Sequence, residues 1–149
     1  MKIKMQLPQF RNETALLLVT AKQHGVLYVA HDGVLDEAAS LEEPKARYSD
    51  HEGFFVSSGT GHTASGAVYE ENKQEVIRKF AKKIVAEAER LVRERGVNSI
   101  YLFVPGYVEK EFNHDLPNAL KGLVRHTFTG NHVDEHPFKL LEKIQAERF

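Results

Sequence analysis

The chain has 149 residues, no cysteine, and 20 lysines and arginines against 21 acidic residues, so its formal net charge is −1. This length is typical of a single domain. The absence of cysteine excludes disulfides, thiolate metal sites and thiol catalysis. A nucleic-acid-binding domain is usually basic overall. The net charge of this chain argues against such a domain, but it is compatible with a basic surface on one side of the molecule. No signal-peptide pattern and no membrane-spanning apolar run occurs, so we expect a cytoplasmic protein that does not enter membranes.

The first third of the chain predicts a three-stranded antiparallel meander that follows an N-terminal extension over residues 1–14. Residues 15–19 form an apolar run that is too short for a helix and is typical of a buried strand. Residues 26–30 are β-branched and aromatic, which favours a second strand. Asp32 and Gly33 form a hairpin signal. Residues 34–41 then predict an edge strand, because they carry charged side chains.

The rest of the chain predicts a long loop followed by alternating helices and strands. Residues 43–72 contain several glycines and no sustained period, and a loop of this length is usually functional or disordered. Residues 73–95 have one apolar stripe and favourable i,i+4 ion pairs, which predict a helix. Further elements are predicted as a strand at 100–104, an irregular helix at 107–120 interrupted near Pro117, a strand at 123–128 and a closing helix from Pro137.

This order of elements predicts an α/β fold in one domain. A meander followed by crossover units indicates a mixed five-stranded sheet with helices on both faces. The expected strand order is 3-2-1-4-5, the ribonuclease H-like arrangement. Two-metal nucleases need carboxylates on the first and fourth strands, and residues 15–21 and 103–105 contain none. No phosphate-binding GxxxxGK[ST] motif occurs either, so neither a nuclease nor a P-loop ATPase is expected.

The histidines do not predict a metal site. His132 and His136 have a spacing that would place both rings on one face of a helix. Because Pro137 is a better helix start, we expect these histidines to lie before the helix in solvent, with Asp134 helping to cap it. The His31-Asp32 and His114-Asp115 pairs are interpreted as turn residues. We therefore expect no metal and no other cofactor.

Charge is distributed unevenly along the chain. Residues 73–95 hold eight basic and four acidic residues, whereas residues 32–71 hold nine acidic and two basic ones. Such asymmetry can orient a protein on a charged partner such as RNA. The alternative is a solvated helix face stabilised by i,i+4 pairs.

Several motifs, taken in order, resemble a known family. The stretch Ser58-Gly59-Thr60-Gly61-His62-Thr63-Ala64 precedes the basic segment Ile77-Arg78-Lys79-Phe80-Ala81. This arrangement resembles the middle domain of archaeal and eukaryotic class I peptide-release factors, in which a glycine-rich GGQ loop precedes a long basic helix. Residues 102–105 and 137–144 are similar to the related bacterial and archaeal host-attachment proteins. The resemblance implies the ribonuclease H-like fold of translational machinery components.

The GGQ tripeptide itself is replaced by Thr60-Gly61-His62. In the family, the glutamine loop positions a water at the ester carbon of peptidyl-tRNA. A histidine could act there as a hydrogen-bond donor or base, whereas Thr60 would restrict a backbone that glycine leaves free. The codon-reading and GTPase-recruiting domains of the family have no counterpart in these residues, so we do not expect stop-codon selection.

Three functional hypotheses follow, and the first is favoured. It is a ribosome- or RNA-associated factor that need not catalyse a reaction and that binds the ribosome or tRNA through a loop and a basic helix. The loop residues are Gly59, Thr60, Gly61 and Thr63, and the basic residues are Lys73, Arg78, Lys79, Lys82, Lys83 and Arg90. The second is a small ester hydrolase that uses His62 as its catalytic residue. The third is a non-enzymatic module that binds a protein partner through the acidic segment 32–71.

Overall fold

The computed structural model describes residues 1–43 and 62–148, with side chains described from residue 74 onward in the helix that begins at His62. The strands are β1 (Thr14–Thr20), β2 (His24–His31), β3 (Val34–Glu42), β4 (Ser99–Val104) and β5 (Val124–Thr129). The helices are α1 (His62–Arg95), α2 (Gly106–Asp115), α3 (Asn118–Lys121) and α4 (Pro137–Arg148).

The strands form one mixed sheet in the order β3-β2-β1-β4-β5, which confirms the predicted topology. β1 pairs antiparallel with β2 and parallel with β4, while β3 and β5 form the edges. The central position of β1 explains its unbroken apolar run, because a strand covered on both faces buries every side chain. The Asp32-Gly33 turn has positive φ angles of 43° and 77°, as the predicted β2–β3 hairpin requires.

Each face of the sheet carries its own core, because successive side chains of a strand point to opposite faces. Leu16 and Leu18 of β1 pack with Phe80 and Ile84 of α1 and with Phe112 of α2. On the other face, the buried set joins strand residues to α4 and to the N-terminal segment; it includes Leu17, Phe103, Leu141, Ile144, Ile3, Leu7 and Phe10. The prediction of helices on both faces is therefore confirmed.

Residues 1–14, expected as an extension, are built into the fold. Ile3, Leu7 and Phe10 are buried against the sheet, and Lys2 forms an isolated β-bridge with Val34. The segment thus covers the sheet face beside α4.

The prediction of a loop over residues 43–72 is wrong from His62 onward, because α1 begins there and not at Lys73. Residues 62–72 lack the apolar period that identifies a helix packed on a core, so the prediction placed the helix start too late. Residues 44–61 of the predicted loop lie outside the described part. The predicted interruption of the helix at 107–120 near Pro117 is confirmed, because α2 and α3 are separated at Leu116 and Pro117.

Candidate nucleic-acid interface on helix α1

Helix α1 is much longer than the sheet it packs on. Its 34 residues correspond to about 51 Å at 1.5 Å per residue, whereas the six residues of β4 span only about 20 Å. Among the side chains of α1 that the structure describes, from residue 74 onward, the buried ones run from Ile77 to Leu91. Because Arg95 leads directly to the start of β4, α1 exceeds the length of β4 by about 30 Å toward its N-terminal end.

The predicted loop residues fall at or before the N-terminal end of this helix. His62 and Thr63 are the first two residues of α1, while Gly59, Thr60 and Gly61 lie outside the described residues. The described side chains begin after Lys73. The proposed roles of these six residues therefore stay predictions.

Three of the predicted RNA-binding cations form ion pairs. The Arg78 guanidinium lies 3.5 Å from the Glu75 carboxylate and 3.8 Å from that of Glu111 on α2. The ammonium group of Lys83 pairs with Glu43, which follows β3.

Arg90 is held by two carboxylates of its own helix. Its Nη2 lies 2.6 Å from Glu87 and its Nη1 lies 2.7 Å from Glu94. The hydrogen bonds to Glu87 and then Glu94 raise the pKa of Arg90 above its ordinary value. These contacts are the i,i+3 and i,i+4 pairs of a solvated helix face, so they support the alternative interpretation for this residue.

The other exposed cations of α1 form a distinct set. Lys79, Lys82 and Arg93 are exposed, and the part of the chain that the structure describes supplies no ion-pair partner for any of them. At about 100° per residue, they lie within about 60° of arc on the helix. Exposed Ala86 lies on the same arc. We call Lys79, Lys82 and Arg93 the cationic stripe.

Acidic residues from other elements offset much of the positive charge that the sequence assigns to this helix. Besides Glu43 and Glu111, Asp36 of β3 contacts Arg95, with 3.4 Å between Oδ2 and Nη2. Asp36 and Glu43 lie 59 and 40 residues from their partners. A count of charges along the sequence cannot detect such pairs, because they exist only once β3 has packed beside α1.

The expectation that the 132–136 segment is solvated is wrong for His132. Its side chain is only 14% exposed, and its Nδ1 lies 2.7 Å from Glu135 Oε2. The ring meets Phe103 edge-on, with 5.6 Å between centroids. The segment precedes α4 as predicted, and because it is not helical, its HxxEH spacing cannot present the ligands as zinc peptidases do.

The cap of α4 also differs from the prediction. His136, and not Asp134, caps the helix, since its Nδ1 accepts a hydrogen bond of 3.1 Å from the Phe138 amide. Within residues 1–43 and 62–148, no group of three or more potential metal ligands comes together.

The remaining histidine pairs lie at the surface. His31 contacts Asp32 at 3.2 Å and also bridges to β1, through Thr14 Oγ1 at 3.1 Å and the Glu13 carbonyl at 3.0 Å. His114 has an 84% exposed side chain and lies 3.5 Å from Asp115. Both pairs fit the predicted role of turn or helix-end residues. His31 in addition ties the β2–β3 hairpin to the start of β1.

Comparison with known proteins gives one family and one fold. The model of bacterial archaeo-eukaryotic release factor family 10 matches residues 11–148. The crystal structure of an archaeal translation termination factor, aRF1, is similar with a TM-score of 0.56 at 17% identity, over 91% of this chain and 36% of that one. The chain thus spans about a third of that factor's length. No curated protein matches. The described residues contain no helix that could span a membrane.

Proposed function

The chain belongs to bacterial archaeo-eukaryotic release factor family 10, and from this premise we propose that it is a translation-related factor that binds the ribosome or its tRNA. The resemblance to the release-factor middle domain that the sequence motifs indicate is confirmed at the level of family and fold. The partner and the residues that contact it belong to the proposal.

The architecture of α1 carries this proposal. The segment that corresponds in order to the GGQ loop, residues 59–63, includes the first two residues of a 34-residue helix that is about 30 Å longer than β4. A long projecting helix can carry the segment at its end into a narrow site while the sheet stays outside. Exposed cations along the same helix suit contact with phosphates, which supply most of the affinity of non-specific nucleic-acid binding.

Binding without peptide release is the form of the function that we favour. Thr60-Gly61-His62 stands where the family has GGQ, so the glutamine that positions the water in the family is replaced. In this proposal residues 59–63 reach RNA near the end of α1, and His62 occupies the position of the glutamine. A protein with these features would occupy a ribosomal site without releasing the peptide.

Co-sedimentation with purified ribosomes through a sucrose cushion tests the proposal. We expect the protein to pellet with ribosomes at about 50 mM salt and to be released as salt rises to about 200 mM, because phosphate contacts weaken steeply with salt. The protein without ribosomes is the control. If it stays in the supernatant at the lowest salt and also fails to bind tRNA, the proposal is wrong.

A further inference from the structure

We infer that the RNA contact of α1 is the cationic stripe, Lys79, Lys82 and Arg93, and that the ion-paired cations beside it contribute little. The inference rests on the proposed function and deepens it. It differs from the set predicted from the sequence, because it adds Arg93, removes Arg78, Lys83 and Arg90 from the contact, and leaves out Lys73, whose side chain lies outside the described ones.

The geometry of the stripe suits a linear polyanion. Lys79 and Lys82 lie about 4.5 Å apart along the helix axis, and Arg93 lies about 17 Å further on. Between them, exposed Ala86 has the smallest side chain that an L-residue can offer, which leaves space for a backbone to approach the helix. The stripe therefore has two lysines at one end and Arg93 at the other, on the same side of α1, with the uncharged position Ala86 between them.

The neighbouring cations already have carboxylate partners. RNA could recruit Arg90 only by replacing the contacts of 2.6 and 2.7 Å to Glu87 and Glu94. Arg78 and Lys83 lie on opposite sides of the stripe, where Glu111 and Glu43 meet them. A phosphate that approached either position would also meet the acid, and like-charge repulsion would offset part of the gain.

These acids also define the limits of the surface. Glu111 of α2 borders the stripe on one side and Glu43 on the other, so a polyanion is confined to the arc between them. Exposed Glu75 lies on this arc itself, one turn before Lys79, where its carboxylate pairs with Arg78. Glu89 lies close to the arc on the Glu111 side, and no ion pair joins it to the described residues. It should weaken RNA binding, and the substitution Glu89→Gln should therefore strengthen it.

Two triple variants with the same change in net charge test the assignment. The stripe variant combines Lys79→Gln, Lys82→Gln and Arg93→Gln. The paired variant combines Arg78→Gln, Lys83→Gln and Arg90→Gln. A third variant, with Arg11→Gln, Arg125→Gln and Lys139→Gln, controls for net charge at exposed positions outside α1 and the helix α2 beside it. Thermal unfolding of each protein verifies that it is folded, and ribosome co-sedimentation at several salt concentrations measures binding.

The stripe variant should bind ribosomes about tenfold or more weakly than the unmodified chain. The slope of log affinity against log salt should fall by about 2–3, since each lost phosphate contact removes roughly 0.7–0.9. The paired variant and the charge control should each change the slope by less than about 1. If the unmodified chain binds and the stripe variant loses no more affinity than the other two, the stripe assignment is wrong while the proposed function stands. If the unmodified chain does not bind, the proposed function itself fails.

Discussion

Replacing Phe103 by alanine should lower the free energy of unfolding by about 3–5 kcal/mol, the range for truncating a buried aromatic side chain. Phe103 lies in β4 near the middle of the sheet and has no exposed surface. Its ring stacks on Phe128 with 4.6 Å between centroids and an interplanar angle of 8°. It also makes an edge-to-face contact with the His132 ring. The cavity would therefore remove contacts between β4, β5 and the segment that leads into α4.

Urea unfolding followed by circular dichroism measures this loss. The matched control is Tyr107→Ala, which removes an aromatic ring that is 59% exposed at the start of α2. Its expected cost is below about 0.5 kcal/mol, as for most surface substitutions. If the two variants lost equal free energy of unfolding, the stacking of Phe103 on Phe128 would not stabilise the core on the α4 side of the sheet.

Replacing Gly25 by alanine should destabilise the fold by about 1–3 kcal/mol, the usual cost of overpacking a core. A Cβ at this position of β2 would clash with Ile84 Cδ1 and would lie 3.3 Å from the Val19 carbonyl oxygen. Ile84 belongs to α1 and is fully buried, so its side chain has little room to rotate away. Gly25 therefore sets how closely α1 approaches the sheet.

A double variant identifies the clash directly. Ile84→Val removes Cδ1 and should cost about 0.5–1.5 kcal/mol alone. Combined with Gly25→Ala, it should cost clearly less than the sum of the two single changes, with a coupling of about 1 kcal/mol or more between contacting residues. The contact with the Val19 carbonyl remains, so full recovery is not expected. Strict additivity would show that Ile84 is not the obstacle.

The sheet could be predicted from sequence because its signals are local. The apolar run in β1, the Asp32-Gly33 hairpin and the strand that ends at Pro105 each depend on neighbouring residues, and their order is sufficient to determine the strand order. The start of α1 could not be predicted, because residues 62–72 contain no apolar stripe of helical period. The N-terminal segment was likewise missed as part of the core, since Ile3, Leu7 and Phe10 show neither helical nor strand spacing.

The candidate interface depended on contacts that no local pattern contains. Sequence alone identified a basic helix, yet it could not separate Lys79 and Lys82 from Arg78 and Lys83. The difference arises from Glu111 and Glu43, which reach α1 from other elements. Arg93 was treated as a cation that suits the helix dipole and not as part of a surface. His132 was expected in solvent because its burial depends on Phe103, in a different strand.

The central claim is that the N-terminal end of α1 enters the ribosome as the GGQ end of a release-factor middle domain does. Because the chain contains no cysteine, His62→Cys creates a single attachment point for an iron chelate, and directed hydroxyl-radical cleavage then maps the nearby RNA. Lys121→Cys, at an exposed position just before β5 at the other end of the sheet, is the matched control. We expect position 62 to cleave large-subunit RNA around the peptidyl-transferase centre and position 121 to leave that RNA intact. Cleavage there from position 121 alone, or from neither position while the protein is bound, would contradict the claim.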